Sequence, residues 1–127
     1  MKMRVAAAAI LIASGANAPA QDLAAGEQSY RKCFPCHDIG EGAKMKMGPP
    51  LNGLEGRKAG TIEGYNYTEA NKNSGITWGD ESFATYIRNP MQVMPGTRMA
   101  FVGIRNDKEI ADLWAYLKQF GRDGKKK

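Results

Sequence analysis

Residues 33–37 read CFPCH, inside the stretch YRKCFPCHDIG of residues 30–40. Two cysteines three apart suit a zinc half-site, a redox dithiol, a short disulfide or an attachment point for haem. The chain has only two cysteines, Cys33 and Cys36, and one histidine, His37, all within these five residues. Structural zinc needs four ligands, mostly Cys and His; no fourth Cys or His is present, and a carboxylate would have to complete a site whose other three ligands crowd into five residues. A thioredoxin-like dithiol opens a helix after a strand in a βαβ unit, whereas the residues that follow here are rich in glycine. A disulfide across two residues closes too small a loop to stabilise much. C-x-x-C-H as a c-type haem attachment site remains. Two thiols at this spacing add across the two haem vinyl groups as thioethers, and the adjacent imidazole is held beneath the iron as its proximal ligand.

With His37 so used, no histidine is left for the opposite face of the iron. Met, Lys, Tyr, water or a small gas must serve. The context favours Met99, which ends PGTRM (residues 95–99), more than sixty residues beyond the attachment site. A single methionine is more often core filler than ligand, and by spacing alone Met91 and Met94 stay open.

Further outward the pattern is helical at the ends and irregular between. Asp22 suits an N-cap for a helix reaching about Arg31, with Leu23 and Tyr30 on one side. Residues 39–66 hold seven glycines and Pro49–Pro50, with no strand alternation, which predicts a long loop region. Such loops wrap something or carry function. Thr68 and Asp80 are placed to cap short helices through Lys72 and Arg88, the second ended by Asn89–Pro90. Residues 91–104 read as irregular and apolar. Asp107 is the expected cap of a last helix with Ile110, Leu113, Trp114, Leu117 and Phe120 on one stripe and Gly121 as its stop. The fold class is therefore all-α, three to five helices joined by long glycine-rich loops. So small a chain with so much irregular backbone is marginal alone, and a large apolar cofactor would complete its core.

The 127 residues suffice for one domain. The first twenty have the layout of a signal peptide: MKMR, the apolar run of residues 5–13, then SGANAPA with small residues at A-x-A spacing. The run is short of the ~20 residues a membrane-spanning helix needs. Cleavage after Ala20 would leave residues 21–127 as the folded domain. The formal net charge is +5; without Lys2 and Arg4, sixteen basic residues face 13 acidic ones, a mild excess. It is too scattered to indicate nucleic acid. The terminal KKK reads as a frayed, solubilising tail.

These residues resemble class I cytochrome c, of the mitochondrial type and its bacterial periplasmic c2-type relatives. The resemblance runs from about Gly26 to Leu117. It rests on CFPCH, GPPLNGLEGRKAG (48–60), YNYTEANKNSGITW (65–78), NPMQVMPGTRMAFVGI (89–104) and DLWAYLK (112–118). It implies one haem c, covalent through Cys33 and Cys36, with Met99 as the axial ligand opposite His37. It gives Pro49 the role of carbonyl partner to the other His37 ring nitrogen. Arg57, Tyr67 and Trp78 would donate to the haem propionates, and Asn71, Tyr86 and Thr97 would form a hydrogen-bond group near the Met99 sulfur. Lys32, Lys44, Lys46, Arg98 and Arg105 would supply a basic ring at the haem edge, thinned because Met91 and Gln92 stand where the family often has lysines. The implied function is that of a soluble, monomeric, periplasmic one-electron carrier and not an enzyme. It would dock onto membrane redox complexes: a quinol-oxidising cytochrome bc-type complex as donor, and a terminal oxidase or photosynthetic reaction centre as acceptor. The alternatives are a haem subunit dedicated to one dehydrogenase, or a peroxidase or gas sensor with a labile sixth ligand.

Overall fold

Asp22 begins the first helix as its short carboxylate suggests, accepting a hydrogen bond from the Ala25 N–H at 3.0 Å. The helix is α1 (Leu23–Tyr30) in the computed structural model, which describes residues 1–9 and 21–127. Among the described residues four more helices follow: α2 (Glu69–Lys72), α3 (Asp80–Arg88), α4 (Pro90–Val93) and α5 (Asp107–Leu117). No strand forms among them. Two isolated bridges, Lys58 with Thr77 and Phe120 with Lys126, are the only β pairings among the described residues. The all-α expectation holds, and residues 39–66 are the irregular span predicted from their glycines. The proposed cleavage point and most of the segment before it, residues 10–20, lie outside the described residues. No helix of the described residues is long and apolar enough to cross a membrane.

Helices α1 and α5 pack against each other, and Gly26 is why they come so close. A Cβ at Gly26 would lie 2.1 Å from the Asp112 carbonyl oxygen, so no larger residue fits there. The buried face of α1 is accordingly Gly26, Ser29 and Tyr30, and Leu23, expected beside Tyr30, is exposed. The α5 stripe is as expected: Ile110, Leu113, Trp114, Leu117 and Phe120 are all buried. Each such side chain contributes about 1.5–3 kcal/mol by leaving water. Trp114 stacks on Phe83 of α3 at 4.8 Å and donates its indole N–H to Asp80 at 2.6 Å.

Several boundaries differ from expectation, at two helix starts because a polar side chain has another partner and elsewhere because of how the chain itself turns. Asp80 is engaged by Trp114, so Gly79 is the N-cap of α3 and Asp80 its first residue. Asn106, not Asp107, caps α5 by accepting from the Glu109 N–H at 2.9 Å, while Asp107 pairs with Arg88. α4 interrupts the span read as irregular: Pro90 occupies its first position, where a missing N–H costs nothing. α5 ends at Leu117, before Phe120 and Gly121, because the chain turns back. Gly121 N–H donates to Lys125 O at 2.9 Å and Lys127 N–H to Gln119 O at 2.8 Å. Lys127 also reaches Glu55 at 3.6 Å. The terminal lysines are thus not a frayed tail but a hairpin-like return laid against the loop region.

Candidate haem-binding site

The attachment sequence is an extension of α1. Cys33 and Phe34 N–H groups both donate to Tyr30 O, at 2.8 and 3.0 Å, and those of Cys36 and His37 both donate to Cys33 O, at 3.0 and 2.8 Å. These turns bring Cys33, Cys36 and His37 to one cavity of about 590 Å³. Both cysteines are free thiols.

His37 is held from three directions. Its ring Nδ1 lies 2.7 Å from Pro49 O, which fixes that nitrogen as the donor and leaves Nε2 with a free lone pair. Tyr30 donates its hydroxyl to His37 O at 2.8 Å. Gly48 lies flat against the ring: a Cβ there would stand 2.3 Å from Cε1. Burial lowers the imidazole pKa, outweighing the Pro49 hydrogen bond that favours the proton. The side chain is a neutral imidazole ready to donate its lone pair.

Of the methionines that spacing alone left open, the structure brings Met99 to the cavity. Met94 is 2% exposed in the protein core, Met91 is exposed, and neither lines the cavity. The Met99 sulfur accepts the Tyr86 hydroxyl at 3.0 Å, and its N–H donates to Thr97 Oγ1 at 3.2 Å. Burial pushes the Tyr86 phenol up to about 12, so it remains a donor, with Thr97 pulling in the other direction. Met47 also reaches the cavity, from its exposed rim.

The remaining predicted residues, Arg57, Tyr67, Asn71, Trp78, Tyr86 and Thr97, all line the same cavity. Arg57 is buried, with Nη1 donating to Pro50 O and Asn52 O, both at 3.0 Å. Among the described residues it has no carboxylate partner. A buried guanidinium without an acid, its pKa lowered by burial, is a site for an anion. Trp78 is tied to it through its N–H to Arg57 O at 2.9 Å and packs on Tyr86 edge to face at 4.9 Å. Tyr67 accepts the Ile62 N–H at 3.1 Å. Asn71 sits on α2, placed by the Thr68 cap.

The expected basic ring is partly engaged. Lys32 pairs with Glu109, and Arg98 donates to Asn66 O. Lys46 donates to Phe34 O at 2.9 Å and lies over the Phe34 ring at 3.6 Å. Lys44 and Arg105 are exposed. Gly48, Tyr30, Leu51, Leu54, Phe101 and Tyr65 also build the site, and sequence reasoning missed them. Only Gly48, beside the singled-out Pro49, carried a local signal.

The donor set fits a haem: two free thiols one turn apart, an imidazole with Nε2 free beside them, a large apolar cavity and an unpaired buried cation for an acidic substituent. Among the described residues no group of three or more His, Cys, Asp or Glu is arranged to hold a bare metal ion. This architecture is that of a c-type haem protein. The cytochrome c family profile matches residues 23–121, and the chain belongs to that family. It is 65% identical to cytochrome c2 of Rhodoplanes tepidamans over 107 residues, 84% of this chain and 100% of the relative. It is 57% identical to cytochrome c2 of Blastochloris viridis over 118 residues, 93% of each. Among solved structures, cytochrome cH from Methylobacterium extorquens matches with a TM-score of 0.72 at 38% identity, covering 77% of this chain and 98% of that one. The chain is a class I, c2-like cytochrome, an electron carrier with one covalent haem c.

Proposed function

We propose that His37 and Met99 are the two axial ligands of the haem, and that the chain carries single electrons between membrane redox complexes in the periplasm. The observation that carries this reading is the hydrogen bond from Tyr86 to the Met99 sulfur, on the wall of the cavity that also receives Cys33, Cys36 and His37. When bound, the haem supplies an iron that alternates between ferric and ferrous states. The chain's own residues set that balance. A thioether favours the softer ferrous ion, and the apolar walls disfavour the extra ferric charge. Pro49 orients the imidazole, and Arg57, Tyr67 and Trp78 receive the propionates. With His37 and Met99 both holding the iron, no coordination position would be left for a substrate, which supports carriage over catalysis.

Export follows from the signal-peptide layout of residues 1–20, with cleavage after Ala20. The 107-residue alignment spanning the whole Rhodoplanes relative equals the length that cleavage would leave. The mature chain acts as a soluble monomer. Its basic residues Lys32, Lys44, Lys46, Arg98 and Arg105 steer it to acidic surfaces, with a quinol-oxidising complex as donor and an oxidase or reaction centre as acceptor. The test is Met99→Ala in the exported holoprotein. The reduction potential should fall, and the ferrous form should bind carbon monoxide, which the parent excludes. An unchanged potential and spectrum would remove Met99 from the coordination sphere.

A further inference from the structure

The rim of the cavity carries two hydrogen bonds that neither the ligand set nor the docking surface explains. The Tyr65 hydroxyl donates to Met47 O at 2.5 Å, across 18 positions of sequence. The Arg98 guanidinium donates to Asn66 O, across 32 positions. Tyr65 and Asn66 are neighbours, so one short segment is fastened to two remote ones. Met47 leads directly into Gly48 and Pro49, which hold the His37 ring. Arg98 directly precedes Met99. The middle of the segment is itself fixed, because Tyr67 is buried, accepts the Ile62 N–H and packs on the Tyr65 ring at 4.7 Å.

The Met99 side has little else to hold it. Within residues 95–101 the backbone bonds are local: Thr97 N–H to Met94 O, Ala100 N–H to Arg98 O and Phe101 N–H to Met99 O, at 3.0, 2.9 and 3.0 Å. Among the described residues, the long-range hydrogen bonds of this stretch are Tyr86 to the Met99 sulfur and Arg98 to Asn66 O. We infer that residues 65–67 are a strap across the cavity rim, and that Tyr65 and Arg98 are positioning residues that fasten its His37 side and its Met99 side. Arg98 therefore restrains the Met99 segment in addition to lending charge to the surface. The inference rests on the reading of Met99 as an iron ligand.

Three variants of the full-length holoprotein test it: Arg98→Gln, Arg98→Lys and Tyr65→Phe. The readouts are the rate at which imidazole displaces the sixth ligand of the ferric protein and amide hydrogen exchange along the chain. A lost hydrogen bond of ordinary strength should speed imidazole binding roughly five-fold in Arg98→Gln and speed exchange of the Met99 and Phe101 amides. Arg98→Lys, which keeps a donor, should restore most of both. Tyr65→Phe should leave imidazole binding near the parent rate and speed exchange of the Gly48 amide, which donates to Cys36 O at 2.8 Å. The strap is overturned if Arg98→Gln alters only the salt dependence of electron exchange with a partner and leaves imidazole binding and exchange unmoved. A parent protein that already binds imidazole as fast as Met99→Ala would instead overturn the ligand assignment.

Discussion

The two sides of the cavity are built on different principles. His37 lies two turns beyond α1, its backbone N–H bonded to Cys33 O, its ring bonded to Pro49 O and backed by Gly48. Helix α1 is in turn clamped by α5 through the close approach at Gly26. Met99 lies in a stretch without regular structure, positioned by the Tyr86 hydroxyl on its sulfur and by its neighbour Arg98, whose guanidinium reaches across to Asn66 O. One proposed ligand is placed by local geometry and helix packing, the other by a few long-range contacts between loops. The His37 side should therefore resist perturbation until a steric limit is crossed and then fail sharply. The Met99 side should respond in small, graded steps that show in the haem before they show in stability.

Gly48→Ala is the sharpest way to break the firm side. The added methyl would overlap the imidazole at 2.3 Å, so ring or backbone must move and the Pro49 hydrogen bond is strained with it. Overpacking of this kind costs about 1–3 kcal/mol. The guanidinium unfolding midpoint of the holoprotein should drop accordingly, and a midpoint equal to the parent's would mean the His37 side is softer than argued.

Tyr86→Phe probes the graded side. It removes only the hydroxyl and keeps the ring that packs on Trp78. A hydrogen bond donated to sulfur draws electron density from it, so its loss makes the thioether a better donor and stabilises the ferric state. The potential should fall, while stability changes by no more than about 1 kcal/mol. A drop in stability as large as that of Gly48→Ala, with no change in potential, would erase the contrast between the two sides.

The same contrast governs what could be read in the sequence. CFPCH is legible because thiols and imidazole act within five residues. The α5 stripe and the Asp22 and Thr68 caps are legible because a helix repeats over three and four residues. Asp80 and Asp107 were misplaced by one position because the partners that decide the cap, Trp114 and Arg88, come from other helices. The return of residues 121–127 onto Gln119 and Glu55 was invisible for the same reason. Among Met91, Met94 and Met99, spacing could not choose, since what separates them is which one long-range packing carries to the cavity. The PGTRM context and the family resemblance both point to Met99, and the Tyr86 hydroxyl on its sulfur supports that reading.

The smallest effect expected lies farthest from the haem, in the clamp that supports the His37 side. The buried Asp112 carboxylate on α5 accepts from the Asp22 N–H at 2.9 Å, at the start of α1, and from Lys108 Nζ at 2.7 Å. The Lys108 hydrogen bond first, then the Asp22 N–H, holds its pKa below the ordinary value of about 3.9. A carboxylate with a depressed folded pKa contributes stability that is fully present above the unfolded value and is lost as pH falls through the folded one. Asp112→Asn keeps an acceptor for the Asp22 N–H but loses the charge that draws Lys108. The variant should unfold at slightly lower guanidinium than the parent at pH 7. The gap should hold down to about pH 5 and then close below pH 4 as the parent's own carboxylate protonates. The haem spectrum and potential should stay as in the parent throughout, because the clamp reaches the iron only through α1. A gap that persists undiminished at pH 3 would assign the loss to packing of the amide instead of to charge. A shift in potential would show that the helix clamp and the Met99 side are coupled after all.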